Sequence, residues 1–455
     1  MSKNGSLASK ATDIEARSTL TRRSSGRQAF KSICLDNLTK INYTLVMQSK
    51  NKPLFRYLEK PLRQLIADKY SCLILGPRQV GKTTLVKKCL KTAQDMVEYP
   101  LQNPSLRIEL EANPSRLISQ IEALNNKPYV FIDEAQKIPE IFDAVQVLID
   151  NQTARFVLTG SSARKLRRQS VNLLPGRIKH FRLDPMLWGE LGLMRESAIE
   201  ELSIRNINKN VAYTFEDSLI YGALPGIISL PEKDREDFLK TYSEIYLEEE
   251  IRAEALSRKI GAFSRFLELA AAESGSNPNL TKLSNESGVS QPTIKEFYNI
   301  LADTLVIERI DPYLKNARKR ILSSPRYYFF DLGARNVLAR LPLTKNLINA
   351  QKGILFEHAV ILEIIRRIRV LNKNYKVCFW RTLSGAEVDC VIDLGNSLIP
   401  IEIKSAHYVA ESELKGLKNF LADYKPLAKH GFVITMGNKK EKIAENITAL
   451  PWQSL

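Results

Sequence analysis

Gly76, Pro77, Arg78, Gln79, Val80, Gly81, Lys82 and Thr83 match the pattern G-x-x-x-x-G-K-[ST], and Thr84 extends it. The chemistry such a loop supports is phosphate binding. Glycines at its first and sixth positions let the backbone curl until successive N–H groups converge on phosphate oxygens. The lysine adds a point charge at the β and γ phosphates, and the Thr83 hydroxyl is a ligand for Mg²⁺. The expected ligands are therefore ATP and Mg²⁺.

Two carboxylates, Asp133 and Glu134, follow the apolar run at residues 129–132. At the end of a buried strand they are suited to different tasks. Asp133 holds the Mg²⁺ shell through water, and Glu134 polarises the water that attacks the γ-phosphate, so hydrolysis as well as binding is expected. Acidic residues after a strand also cap helices, which is the plainer alternative. A further apolar run, 156–158, leads into Thr159, Gly160, Ser161 and Ser162, where Ser161 stands as a sensor of the γ-phosphate. Between residues 164 and 182 there are seven basic side chains and no acidic one. Among these Arg177 is a candidate for a phosphate-facing or subunit-bridging arginine, with a solvated basic loop as the competing reading.

A third constellation lies near the C-terminus. Residues 386–392 and 398–404 both look like strands, and Gly395-Asn396 between them is a two-residue hairpin turn. Pairing Leu394 with Ser397 and counting outward puts Asp389 opposite Glu402 and Glu387 opposite Lys404. Residues two apart share a face, so these four point one way while Val388, Cys390, Ile401 and Ile403 enter a core. Directly opposed residues have Cβ atoms about 4.5–5.5 Å apart, close enough for Asp389 and Glu402 to hold one Mg²⁺. Lys404 is placed to orient or activate a water, and Glu357 is a further candidate ligand. A solvent-facing hairpin with a Glu387–Lys404 ion pair is the alternative.

The elements that must position these groups form an α/β pattern. From about residue 50 to 193 strands and helices alternate, which implies a parallel sheet covered by helices. Strands are expected at 72–75, 129–132 and 155–158, each short and continuously apolar. Residues 196–256 read as helices broken at Tyr221-Gly222-Ala223-Leu224-Pro225-Gly226. Between 257 and 313, helical patterns enclose a Gly288 turn that leads to Ser290 as N-cap and Pro292 in the first helical turn. From about 323 strands return, with a long helix at 353–370.

At 455 residues the chain is too long for one core. Its net charge of +17 argues for a polyanionic partner, nucleic acid first and an anionic membrane surface second; dispersed lysine that aids solubility is the plainer alternative. Cys34, Cys72, Cys89, Cys378 and Cys390 are odd in number and contain no C-x-x-C, which points to a reducing compartment. The four histidines show no metal-binding spacing. No run approaches eighteen apolar residues and no signal-peptide core is present, so the expectation is a cytoplasmic protein without a membrane span. Residues 1–46 carry eight basic and three acidic residues, a net of +5. They read as a solvated, disordered tail. A nucleic-acid-binding arm and a translation start at Met47 are equal readings of it.

The ordered series Gly-Pro-Arg-Gln-Val-Gly-Lys-Thr-Thr, Phe-Ile-Asp-Glu-Ala-Gln-Lys-Ile-Pro, Leu-Thr-Gly-Ser-Ser and Leu-Pro-Gly-Arg resembles a large prokaryotic family of AAA-type P-loop ATPases. Its members carry a C-terminal domain of unknown function related to PD-(D/E)XK nucleases. The similarity covers about residues 50–445 and continues through Tyr221-Gly222-Ala223-Leu224-Pro225, residues 327–333 and 353–357, and Glu387-Val388-Asp389. It implies an ATPase core (47–195), a helical lid (196–256), a winged-helix-like segment (257–322) and a nuclease-like end (323–455). In that end Asp389, Glu402 and Lys404 would be the catalytic set. The implied partners are DNA first, then a protein or a second copy of the chain. A nucleotide-dependent switch for a protein partner, with an inert C-terminal domain, is the alternative. In the middle segment Gln291, Thr293, Lys295 and Glu296 would form the face presented to a major groove, or only a packing module. The tail before Met47 and Ala223, where a second glycine is usual, depart from the family pattern.

Overall fold

Short apolar runs that bury both faces become the centre of a parallel sheet. In the computed structural model, which describes residues 54–91, 95–124, 126–162, 174–204, 211–243, 260–314 and 324–455, these runs are β1 (Ser71–Leu75), β3 (Tyr129–Asp133) and β4 (Arg155–Gly160). β2 (Met96–Pro100) and β5 (Ile178–Arg182) flank them in the order β2-β3-β4-β1-β5, and every pairing is parallel. Side chains alternate across the sheet. Cys72, Ile74, Phe131 and Val157 face one core with Leu85 and Val86, while Leu73, Val130, Ile132, Phe156 and Leu158 face the other with Phe142 and Val145. The helices Lys82–Leu90 and Ile141–Asp150 supply those covering residues. The basic run Arg164–Arg168 and the tail 1–46 lie outside the described residues.

After the sheet come helices Phe215–Tyr221, Pro225–Ile228 and Glu232–Thr241. Thr214 and Asp217 close a capping box on the first of these. Helices Ile260–Ala272, Leu280–Ser287 and Gln291–Asp303 follow. Gly288 ends one of these in the left-handed region (φ 74°), and Ser290 and Pro292 open the next. Gln291, Lys295 and Glu296 are exposed, whereas Thr293 is half-buried and hydrogen-bonded to Ser290 at 2.9 Å.

The remaining strands are β6 (Ile307–Pro312), β7 (Arg326–Phe329), β8 (Lys376–Arg381), β9 (Glu387–Asp393), β10 (Leu398–Lys404), β11 (Gly431–Thr435), β12 (Glu441–Ala444) and β13 (Ile447–Pro451). They form one mixed sheet in the order β12-β13-β11-β10-β9-β8-β6-β7. β6 pairs antiparallel with β7 and parallel with β8, so the sheet crosses the boundary expected near residue 322. Lys345–Val370 is helical on both sides of a kink at Gln351 (φ −130°, ψ 28°), and the part after the kink is the long helix expected at 353–370. Among the described residues no helix is long and apolar enough to cross a membrane.

Candidate functional site

The phosphate-binding loop leaves the end of β1, and its shape depends on close backbone contacts. A Cβ on Gly76 would lie 2.1 Å from the Leu183 carbonyl oxygen, so no side chain fits there. Gly76 N–H donates to Gly160 O at 3.2 Å, tying the loop to β4. Gly81 takes φ 91°, a conformation that costs other residues. Arg56, 4% exposed, holds the loop from below. Its guanidinium donates to Val80 O at 2.6 Å, Asp184 O at 2.5 Å and Glu190 Oε2 at 3.0 Å. Tyr242 Oη donates to Arg78 O at 3.3 Å. The Lys82 ammonium donates to Gly76 O and Pro77 O, both at 2.8 Å. It therefore lies across the loop that it would share with a phosphate.

At the end of β3 the two carboxylates occupy different surroundings. Thr83 Oγ1 donates to Asp133 at 2.9 and 3.0 Å, and Thr159 Oγ1 donates to Asp133 Oδ1 at 2.5 Å. Burial raises the Asp133 pKa above the ordinary aspartate value, the Thr159 donor opposes that rise, and the neighbouring Glu134 charge adds to it. Glu134 adopts the left-handed conformation (φ 59°, ψ 46°), and its N–H donates to Thr159 Oγ1 at 3.2 Å. Its Oε2 accepts from Gln136 Nε2 at 2.5 Å and from Ser161 Oγ at 2.9 Å. Burial pushes the Glu134 carboxyl up, but Lys82, Gln136, Arg78 and Ser161 together outweigh it and hold the carboxyl below its ordinary range. The oxygen-only pair of Thr83 and Asp133, adjacent and hydrogen-bonded, suits Mg²⁺, a hard cation that keeps several waters.

The structure thus gathers Gly76, Lys82, Thr83, Asp133, Glu134 and Ser161 at one end of the sheet. Arg177 is not among them. It precedes β5, whose Ile178 pairs with Ser71 at the opposite end of β1 from the loop. Its guanidinium makes a two-bond pair with Asp150, at 2.6 and 3.0 Å, so the phosphate-facing expectation is corrected within this chain. Arg182, not Arg177, registers with Leu75 beside the loop. Sequence reasoning missed Arg56 and Gln136. The only available signal for Gln136 was its place two residues after the carboxylate pair.

The C-terminal hairpin has the counted register. Leu394 N–H donates to Ser397 O at 3.0 Å, and Cys390 pairs with Ile401. The ladder ends at that pair: β9 is irregular against β8 between Val388 and Val391, and Val388 packs in a different core from Cys390, Ile401 and Ile403, so the counted pair Asp389–Glu402 is not reached. Asp389 Oδ2 instead accepts from the Ile403 N–H at 2.8 Å, and Lys404 Nζ meets Glu402 Oε1 at 2.8 Å. Glu402 is 7% exposed, whereas the Glu387 and Lys404 side chains are 30% and 33% exposed. Glu402 Oε2 is buried without a hydrogen-bond partner. Burial, and then the Asp389 charge, push both Glu357 and Glu402 up to about 7. Glu357 Oε1 accepts from Tyr328 Oη at 2.7 Å and lies 3.6 Å from Arg326. The expected Glu387–Lys404 pairing is replaced: Glu387 is ion-paired with Arg326 and faces Arg381 at 3.7 Å. β7, which lies outside the hairpin, brings Arg326 into the cluster. Among the described residues no group of three or more His, Cys, Asp or Glu is arranged to hold a metal. Glu357 is therefore not placed as a third ligand.

Three family models match the chain: an AAA domain over residues 68–192, a domain of unknown function (DUF8612) over 212–345, and a second (DUF4143) over 352–455. The uncharacterized proteins Rv2008c of Mycobacterium tuberculosis and Mb2031c of Mycobacterium bovis are each 26% identical over 385 residues. Each match covers 83% of this chain and 79% of the relative. Among solved structures, a Walker-type ATPase of Pyrococcus abyssi is similar at a TM-score of 0.41 and 14% identity, covering 62% of this chain and 94% of that one.

Proposed function

We propose that this chain, whose residues 68–192 are an AAA-type P-loop domain, hydrolyses ATP and couples hydrolysis to conformational change in a nucleic-acid-associated protein. One observation carries the reading. At the end of β3 the hydroxyl of Thr83 meets Asp133, while the adjacent Glu134 is kept ionised by neighbouring donors and charges. When bound, Mg²⁺ neutralises charge on the β and γ phosphates. Thr83 and Asp133 would hold it. Lys82 exchanges the loop carbonyls for phosphate oxygens, the loop N–H groups bind the phosphates, and Glu134 accepts a proton from the attacking water. Ser161, hydrogen-bonded to Glu134, relates the carboxylate's position to the γ-phosphate.

In this reading residues 196–256 act as a lid, 257–322 as a winged-helix-like module and 323–455 as a nuclease-like domain with Asp389, Glu402 and Lys404 as its catalytic set. Nucleic acid, DNA first, is the partner that the net charge of +17 favours. ATP turnover in Mg²⁺ buffer should rise when duplex DNA is added. DNA affinity should fall with salt at a log–log slope of about −0.9 per phosphate neutralised, and removing residues 1–46 should flatten that slope. Absence of binding at low salt would contradict the nucleic-acid part.

A second reading is a nucleotide-dependent switch for a protein partner, with an inert C-terminal domain. It is favoured by Arg326, whose ion pairs with Glu387 and Glu357 already compensate the cluster's negative charge.

A further inference from the structure

Gln136 is 2% exposed and lies in the single 3₁₀ turn Ala135–Lys137. The left-handed conformation of Glu134 reverses the chain so that Gln136 folds back over the carboxylate preceding it. Its Nε2 donates both to Glu134 Oε2 (2.5 Å) and to Ser161 Oγ (2.9 Å), while Ser161 Oγ donates to the same Glu134 oxygen at 2.9 Å. The three side chains close a hydrogen-bonded triangle that joins the end of β3 to the end of β4. The chemistry fixes the amide orientation, since the flipped amide would set its oxygen against a carboxylate.

The carboxamide lies against the bare Cα of Gly160. A Cβ there would come 3.0 Å from Gln136 Oε1 and 3.1 Å from Leu75 Cδ2. Gln136 Oε1 is buried with no hydrogen-bond partner. A leucine or methionine would fill the same volume without burying an unpaired carbonyl, so packing does not explain the amide. Its two donated bonds do.

We propose that Gln136 is a positioning residue for hydrolysis: its carboxamide clamps Glu134 to Ser161 and so sets where the carboxylate meets the attacking water. The proposal rests on the ATPase reading of this site. Gln136 touches no phosphate ligand of the loop, so its effect falls on the chemical step and not on nucleotide affinity.

The test uses the full chain carrying Gln136→Leu, Glu134→Gln and the two together, with ATP turnover and nucleotide affinity measured side by side. The expected result for Gln136→Leu is a kcat lower by about tenfold or more and a nucleotide Kd changed by less than about threefold. In the Glu134→Gln background the same substitution should change the residual turnover by less than about threefold, because the clamp acts through that carboxylate. Ser161→Ala, which removes the other donor, should behave in the same way and serves if Gln136→Leu does not fold. An unchanged kcat, or losses that multiply in the double variant, would overturn the proposal while leaving the ATPase reading intact. Absence of turnover by the wild type would instead remove the ATPase reading and this proposal with it.

Discussion

The carbonyl oxygen of Leu183 occupies the space in which a side chain on Gly76 would begin, 2.1 Å from the position of its Cβ. Leu183 also donates its N–H to Leu75 O at 2.8 Å, so the first residue of the phosphate loop rests on the chain leaving β5. Gly76→Ala must push that chain away. The expected effect is a loss of about 1–3 kcal/mol of stability together with weaker nucleotide binding, read by thermal unfolding with and without ATP. Unchanged affinity would show that the loop tolerates the shift.

On either side of Leu183, Arg182 and Asp184 enter a buried ionic network. Arg369 contacts Asp184 at 3.1 Å and Glu308 at 2.6 Å, and Arg182 pairs with both carboxylates. The network joins β5, β6 and the long helix. Burial pushes Asp184 up, but Arg369, Arg182 and Arg366 outweigh it and leave its pKa far below the ordinary range. A carboxyl with a depressed folded pKa contributes stability that is present above its unfolded value, near pH 4, and lost as pH falls through the folded value. Asp184→Asn should therefore cost about 3 kcal/mol at neutral pH, with the gap from wild type narrowing below about pH 4. Urea unfolding at several pH values checks this, and a gap that stays constant would contradict it.

Asp389 and Glu402 bear on the nuclease-like part of the proposal. If they hold a divalent cation, Asp389→Ala should weaken Mn²⁺ binding by about tenfold or more in calorimetry and abolish metal-dependent DNA cleavage. Cleavage that persists in Asp389→Ala would mean that any nuclease activity arises elsewhere. Arg326→Gln is the complementary variant, since it removes the guanidinium ion-paired with Glu387. It should strengthen Mn²⁺ binding if that charge competes with the cation.

Much of the site is legible in the sequence because its determinants are local. The loop residues 76–83 and the pair Asp133–Glu134 lie at strand ends marked by apolar runs, and the Gly395-Asn396 turn fixes the hairpin register by counting. Edge strands β2 and β5 escape the same reasoning because only one residue of each is buried, so neither has a continuous apolar run. A place after Gly176 does not say on which end of β5 Arg177 lies, and it stands at the end away from the loop. Arg56 and Arg326 act through contacts 24 and 61 positions away in the chain, to Val80 and Glu387. No spacing rule reports such contacts. The burial of Glu402 is likewise not revealed by the alternating pattern of β10.

In the proposed function Glu134 acts on water while Lys82 and the loop bind the nucleotide. Steady-state ATP hydrolysis in Mg²⁺, measured beside nucleotide binding for wild type, Lys82→Ala and Glu134→Gln, tests it most directly. Lys82→Ala should lose binding, whereas Glu134→Gln should bind ATP as the wild type does but turn it over about 10²-fold or more slowly. Equal hydrolysis by wild type and Glu134→Gln would contradict it.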